Sequence, residues 1–512
     1  MPTFRLKGLG TTGSFPDLQP ADAPPGGWQT SEDVRFQRLR AITTPLPALL
    51  QGSPPAPLVG ISTGAIAGGS SALFVATATG LYQVDLAADT FVDVTGTATW
   101  QGQAETVTDT HLGGQLFFND TRNEPAYWDA GTTGSFQPLP NWPAGWSCRS
   151  LRAFKEYLFA LAPKDNNGTE YPFMLKWSDA AAPGTVPATW DPADATADAG
   201  EMDLGAGYTP LIDGYPLRDE FIMYRQTDAW AIQWTGDEYV FSARQLFKTI
   251  GILATNCVIE WRGAHYVATV DDIIVHDGQS AKSLLDRRAR RQLFNEIDPS
   301  TFQLSFMTLN SLTNEVIFCY PTQGTSYATR ACVIELETGA VTFLDLTAFQ
   351  PTAFTTGSVP IPPSDQWDTS GTAWDATLGG WNTGLGLSES QLSTYLSSPN
   401  GVYVMDGDVS APTPTLERRG LDLGDATVRK TITRLRFHTA YGVNYQPFQI
   451  QFAATGAADE TPSYRTPITV DLRNSQTADV LLDGRFFAFK ITGGNDWSLS
   501  QIDIDFEVSG EA

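Results

Sequence analysis

The chain has 512 residues, 42% of them hydrophobic, with 32 Lys and Arg against 57 Asp and Glu for a net charge of −25. This length exceeds one ordinary core, so two or three domains are expected. The acid excess excludes the basic footprint of a sequence-independent DNA binder, and no apolar run approaches the ~20 residues that span a bilayer.

Residues 1–57 form an N-terminal segment of their own texture. Met1–Gly8 has no apolar h-region, so no secretory signal is expected and folding in a reducing cytosol is. Ala21–Gly27 reads as a loop. Trp28 to Arg40 alternates loosely through Val34, Phe36 and Leu39, as an extended element packed on another domain does. Ser53-Pro54-Pro55-Ala56-Pro57 is a proline-rich linker.

From 58 to 409 a degenerate unit recurs seven times, 40–70 residues apart. An apolar run is followed, across a polar turn, by a second run closing near an acid or glycine. The copies are Leu73–Ala76 with Leu81–Asp85, Leu116–Phe118 with Ala126–Asp129, Leu158–Leu161 with Leu175–Asp179, and Phe221–Tyr224 with Trp230–Trp234. Tyr266–Ala268 with Ile273–Gly278, Val316–Cys319 with Cys332–Leu336, and Leu396 with Val402–Gly407 complete the set. One such sheet cannot bury both faces alone, so neighbours must stack around an axis. The spacing predicts a six- or seven-bladed β-propeller. The 46 Gly, 33 Pro and 28 Phe suit an all-β chain rich in turns.

Within this region the sequence predicts one helix, over 284–296. Ser283 reads as its N-cap with Asp286 at the third position, Leu285, Ala289 and Leu293 as its buried face, and Arg287, Arg288, Arg290 and Arg291 as the remainder. Against an acidic background this cluster is a solvated face paired with acids of its own fold, a docking face for an acidic neighbouring copy or, least favoured by the net charge, a DNA contact. Further on, Trp367, Trp374 and Trp381 recur every seven residues among Gly, Thr and Ser. The glycines exclude a coiled-coil heptad. A tryptophan ladder closing a long loop and an aromatic platform for sugars are the two readings. Asp368-x-x-Gly371-x-x-Trp374 misses the sialidase Asp-box because its glycine is one place late.

After Pro412-Thr413-Pro414 the pattern changes. Thr431–Phe437, Phe448–Phe452, Phe486–Ile491 and Ile502–Val508 alternate apolar and polar with period two, the mark of antiparallel strands with one wet face. Residues 410–512 are therefore expected to form an antiparallel β-sandwich or platform domain, joined by the N-terminal segment so that the chain ends meet.

Catalytic and metal signatures are missing from the sequence. The four histidines (His111, His265, His276, His438) never fall at i, i+4, and no C-x-x-C, Gly-x-Ser-x-Gly or Walker loop occurs. Asp191, Asp194, Asp198, Glu201 and Asp203 lack calcium-loop spacing. The four cysteines are expected as buried thiols, with only Cys319 and Cys332 placed to meet across a hairpin. No catalytic residue, metal or cofactor is expected.

Several stretches in succession resemble the tail hub, or nozzle, proteins of short-tailed bacteriophages, also called packaged-DNA stabilisation proteins. They are Met223–Ile232 through Phe241, Phe247, Gly251–Ala254 and Asn256–Glu260, then Gly263–Gly278 with the arginine helix. Leu416–Leu421, Gly484–Ile491 and Trp497–Leu499 follow, and the Trp-Asp array suits the same family. The resemblance implies a structural, non-enzymatic virion protein with a propeller in each subunit, assembled in the host cytoplasm. It implies a homohexameric tube below the portal and adaptor rings that holds a tail fibre or tip protein. Such a tube retains the packaged genome, then conducts double-stranded DNA without binding it, and touches the host envelope only indirectly. The alternatives are a carbohydrate-binding propeller using the tryptophan array and, behind it, a propeller glycoside hydrolase.

Overall fold

Continuous apolar runs, as opposed to alternating ones, demand burial on both faces of a strand, and the computed structural model shows how this chain supplies it. The structure describes residues 2–66, 69–128, 134–205, 209–236, 240–286, 288–360, 392–408 and 413–511. The protein is mainly β and contains many small four-stranded antiparallel sheets.

Each of the seven repeats is the middle hairpin of a run of four antiparallel strands. Leu73–Ala76 and Leu81–Asp85, for example, lie in Ser71–Thr77 and Leu81–Asp85, flanked by Leu58–Ala65 and Thr90–Asp93. In two of the runs the second strand, Gln115–Asn119 and Glu315–Tyr320, is buried at every residue.

The chain divides into two compact units. One consists of Leu49–Thr249 and Pro351–Val404, the other of Met1–Ala48, Ile250–Gln350 and Met405–Ala512. In the first of these, side chains pointing alternately up and down a strand enter two different clusters, as the pleat requires. Phe74 and Ala76 pack with Leu116, Phe118 and Trp128 of the next sheet, while Leu73 and Val75 pack with Tyr395 and Val402. Phe117 packs with Leu158 and Ala160, and Phe159 and Leu161 pack with Phe221, Met223 and Ile232. Five sheets thus stack in series. Burying each large apolar side chain contributes roughly 1.5–3 kcal/mol. The strand Leu46–Gly52, which falls in the sequence's N-terminal segment, completes the sheet of Ala353–Ser358, Leu392–Ser398 and Gly401–Asp408.

The other unit weaves the chain ends together. Thr3–Lys7 runs antiparallel to Asn495–Glu511, which also pairs with Val428–Gln446. Thr477–Gly484 pairs with the far side of Val428–Gln446, and its residues are exposed and buried in strict alternation. A second sheet in this unit joins the Phe306–Asp345 strands to Thr415–Leu421, Phe486–Thr492, Phe448–Thr455 and Ile468–Val470. The link between its two halves is the three-residue strand Thr30–Glu32, parallel to Val341–Asp345 and antiparallel to Thr415–Leu421. Both sheets feed one apolar cluster, which includes Leu6, Trp28, Phe437, Ile450, Phe489 and Ile502.

The helix is shorter than expected, Arg290–Glu296, and Ser283 ends the strand Ala281–Ser283 instead of capping it. Ser283 Oγ donates to Asp272 instead, at 3.1 Å. Cys319 and Cys332 are both free and buried. They do not face each other, because Cys319 pairs with Ala331 and Cys332 with Phe318.

Candidate functional site

The helix N-terminus receives its cap from far away in the chain. Asp17 accepts hydrogen bonds from the backbone N–H groups of Arg291 (2.6 Å) and Gln292 (3.0 Å). Its own N–H donates to the Arg288 carbonyl at 3.1 Å. Leu285, Ala289 and Leu293 are fully buried as the sequence predicts, although the first two precede the helix.

The arginines meet different fates. Arg287 lies outside the described residues. Arg288 turns inward: it donates to the Gly339 carbonyl and lies 5.5 Å over the Phe15 ring, and burial pulls its pKa down. Arg290 is held by the Asp271 carbonyl at 2.7 Å, the Asp271 carboxylate and, at 3.5 Å, Asp272. Burial raises the Asp272 pKa, with Arg290 working against it. Arg291 is exposed, and its side chain makes no ion pair among the described residues. Arg290 and Arg291 line an open cleft of about 360 Å³ with Asp17, Asp271, Asp286, Phe294 and Asn295. Two guanidinium groups and three carboxylates share it, so the cleft can exchange ion pairs with a polar partner. Trp367, Trp374 and Trp381, and the near Asp-box around Gly371, lie outside the described residues.

The histidines occupy structural positions. His265 and His276 are buried cross-strand neighbours, ring centroids 5.3 Å apart, and burial lowers the His276 pKa to about 4. His438 contacts Asp503 at 3.1 Å and His111 the Thr63 carbonyl at 2.6 Å. No group of three metal-ligating side chains occurs among the described residues, nor any helix long and apolar enough to cross a membrane.

A polar belt that sequence reasoning missed runs along the first strands of four stacked sheets. Ser62 Oγ donates to Asp109 at 2.6 Å, and Arg152 donates to the Asp109 carbonyl at 3.0 Å. Arg152 then grips Asp213 with two bonds, at 2.9 and 2.7 Å, while Ser150 Oγ donates to the same carboxylate at 2.6 Å. Burial opposes the Arg152 cation, but Asp213 outweighs it and holds the guanidinium above its ordinary range. The local signal was a charged residue inside a largely buried strand, as Arg152 is within Ser147–Phe154 and Asp213 within Leu211–Leu217.

No protein-family model and no curated protein matches this chain. Among solved structures, it is similar to the extracellular domain assigned to a one-component system of B. thetaiotaomicron. That alignment has 10% identity and a TM-score of 0.39, covering 87% of this chain and 58% of the other. The chain thus spans less than two thirds of that structure, and a likeness at this score decides neither fold nor function.

Proposed function

We propose that the chain is a structural virion protein, the tail hub or nozzle of a short-tailed bacteriophage, with no catalytic role. In this reading its four-stranded sheets are blades of a six- or seven-bladed β-propeller. The strands of the two sheets that share one core, apart from the Phe306–Asp345 strands, are the platform sandwich, built by residues 410–512 with the N-terminal segment. Six copies form a tube below the portal and adaptor, bear a fibre or tip protein, retain the genome and conduct it at ejection.

The supporting observation is where the resembling stretches lie. Gly251–Gly278, Leu416–Leu421, Gly484–Ile491 and Trp497–Leu499 are spread over nearly half the sequence yet fall in the same compact unit, while Met223–Phe247 falls in the other. Charge is consistent with the role, because a conduit must not bind what it conducts. Six copies at −25 carry on the order of −150 charges, and lumen-facing carboxylates repel phosphates over ~8 Å in physiological salt.

The test is infection without the protein. Heads should fill with DNA and lose it again, particles should lack complete tails, and the purified subunit should show a ring or short tube by negative stain. Normal genome retention and delivery in its absence refutes the assignment. Purified subunits should also bind duplex DNA very weakly even in low salt, whereas a phosphate-gripping protein binds tightly and loses affinity steeply as salt rises.

A further inference from the structure

The strands Val34–Gln37 and Arg40–Thr43 are joined by two residues only, Arg38 and Leu39, with Gln37 opposite Arg40. Both turn residues are left-handed, at φ 49° and 63°, as the tight hairpin turn with matching twist requires. Asn-Gly is the sequence that occupies such a turn without strain, and a leucine there is costly. Leu39 is also 62% exposed, so burial does not repay the strain within the subunit. The base of the hairpin is firm: Gly10 lies so close to Arg40 that an added Cβ would come within 2.1 Å of its backbone nitrogen.

The surroundings are basic in an acidic protein. Arg38 and Arg40 flank the leucine, and Lys7 lies beside them along the same edge of Asn495–Glu511, since Ala41 pairs with Leu499 and Lys7 with Gln501. All three are exposed, and none forms an ion pair among the described residues. Arg40 reaches only the Ser498 hydroxyl, at 3.3 Å. Most of the acid excess lies elsewhere, in Leu49–Thr249 and Pro351–Val404, which carry 27 Asp and Glu against 10 Lys and Arg.

We propose that the Arg38-Leu39-Arg40 hairpin is a self-association knob. Its leucine packs against a second copy of this chain, and its cations, with Lys7, meet that copy's acidic surface. Strain retained at an exposed apolar tip is the mark of a residue kept for contact, and charge complementarity selects the partner. The proposal names the subunit contact and does not depend on the tail assignment. A chain that associates through this hairpin but proves dispensable in particles leaves it standing.

The test is the double variant R38N with L39G, which installs the unstrained turn. Urea unfolding should show an unchanged or raised midpoint, and sedimentation velocity should show self-association weakened at least tenfold. Arg38→Glu with Arg40→Glu should weaken it similarly, and wild-type association should fall as salt rises. Wild-type chains that stay monomeric, or variants that associate as the wild type does, overturn the proposal. So does a result in which the variants lose affinity for a 20-base-pair duplex while self-association persists, because the knob is then a nucleic-acid contact.

Discussion

Replacing Asp213 by alanine tests whether the polar belt holds neighbouring sheets together. Asp213 is fully buried and Arg152 is 5% exposed, so the substitution leaves a guanidinium in the interior without its carboxylate, with the Asp109 carbonyl still accepting from it. Ser150 Oγ loses its 2.6 Å acceptor as well. Removing one member of a buried ion pair costs about 3–5 kcal/mol, which is roughly two to three and a half decades in the local opening equilibrium. The cost should surface at the Ser147–Phe154 and Leu211–Leu217 strands, measured by native-state hydrogen exchange at several urea concentrations. Substituting both partners with apolar residues, Arg152→Met with Asp213→Leu, should recover most of the loss, because no orphaned charge remains. A single-variant cost under about 1 kcal/mol, the range of an exposed pair, refutes the reasoning. So does a double variant whose cost equals the sum of the singles.

Other outcomes follow from individual groups. Burial raises the Asp33 carboxyl to about 7, with the Asp345 N–H pulling the other way. A carboxyl raised in the fold favours stability below its ordinary pKa, and that contribution is lost as pH rises through 7. Asp33→Asn keeps the acceptor for Asp345 N–H and tolerates the left-handed φ of 55°. It should flatten the fall in stability between pH 4 and 8, and an unchanged thermal-melt profile against pH contradicts this. Asp17→Ala should cost roughly 0.5–2 kcal/mol through loss of the remote cap, seen as faster exchange of the Arg291 and Gln292 amides; unchanged exchange removes Asp17 from that role. Arg291→Glu should weaken assembly by analytical ultracentrifugation while leaving the subunit folded, since small exposed-pair energies multiply around the ring proposed above. Unchanged assembly leaves the arginine cleft a solvated face.

The local grammar of the chain was legible without coordinates. Seven paired apolar runs mark the middle hairpins of seven four-stranded runs, because a strand buried on both faces must be apolar at consecutive positions. Period-two alternation likewise marks the strands near the C-terminus, where one face is wet. The helix was legible as an apolar triplet, Leu285, Ala289 and Leu293, but its start was not. Its cap is Asp17, brought in from more than 270 residues away, so Ser283 looked equally suitable by local spacing.

Composition and periodicity, then, determined by themselves that this protein is acidic, mainly β and repetitive, because burial imposes those patterns within each strand. Tertiary structure alone decided which arginines are free, that Leu46–Gly52 completes a distant sheet, and that Ser62, Asp109, Arg152 and Asp213 form one belt. It also decided that Arg38 and Leu39 occupy a strained turn. These depend on contacts between residues far apart in the chain, and a buried charge is informative only once its partner is known.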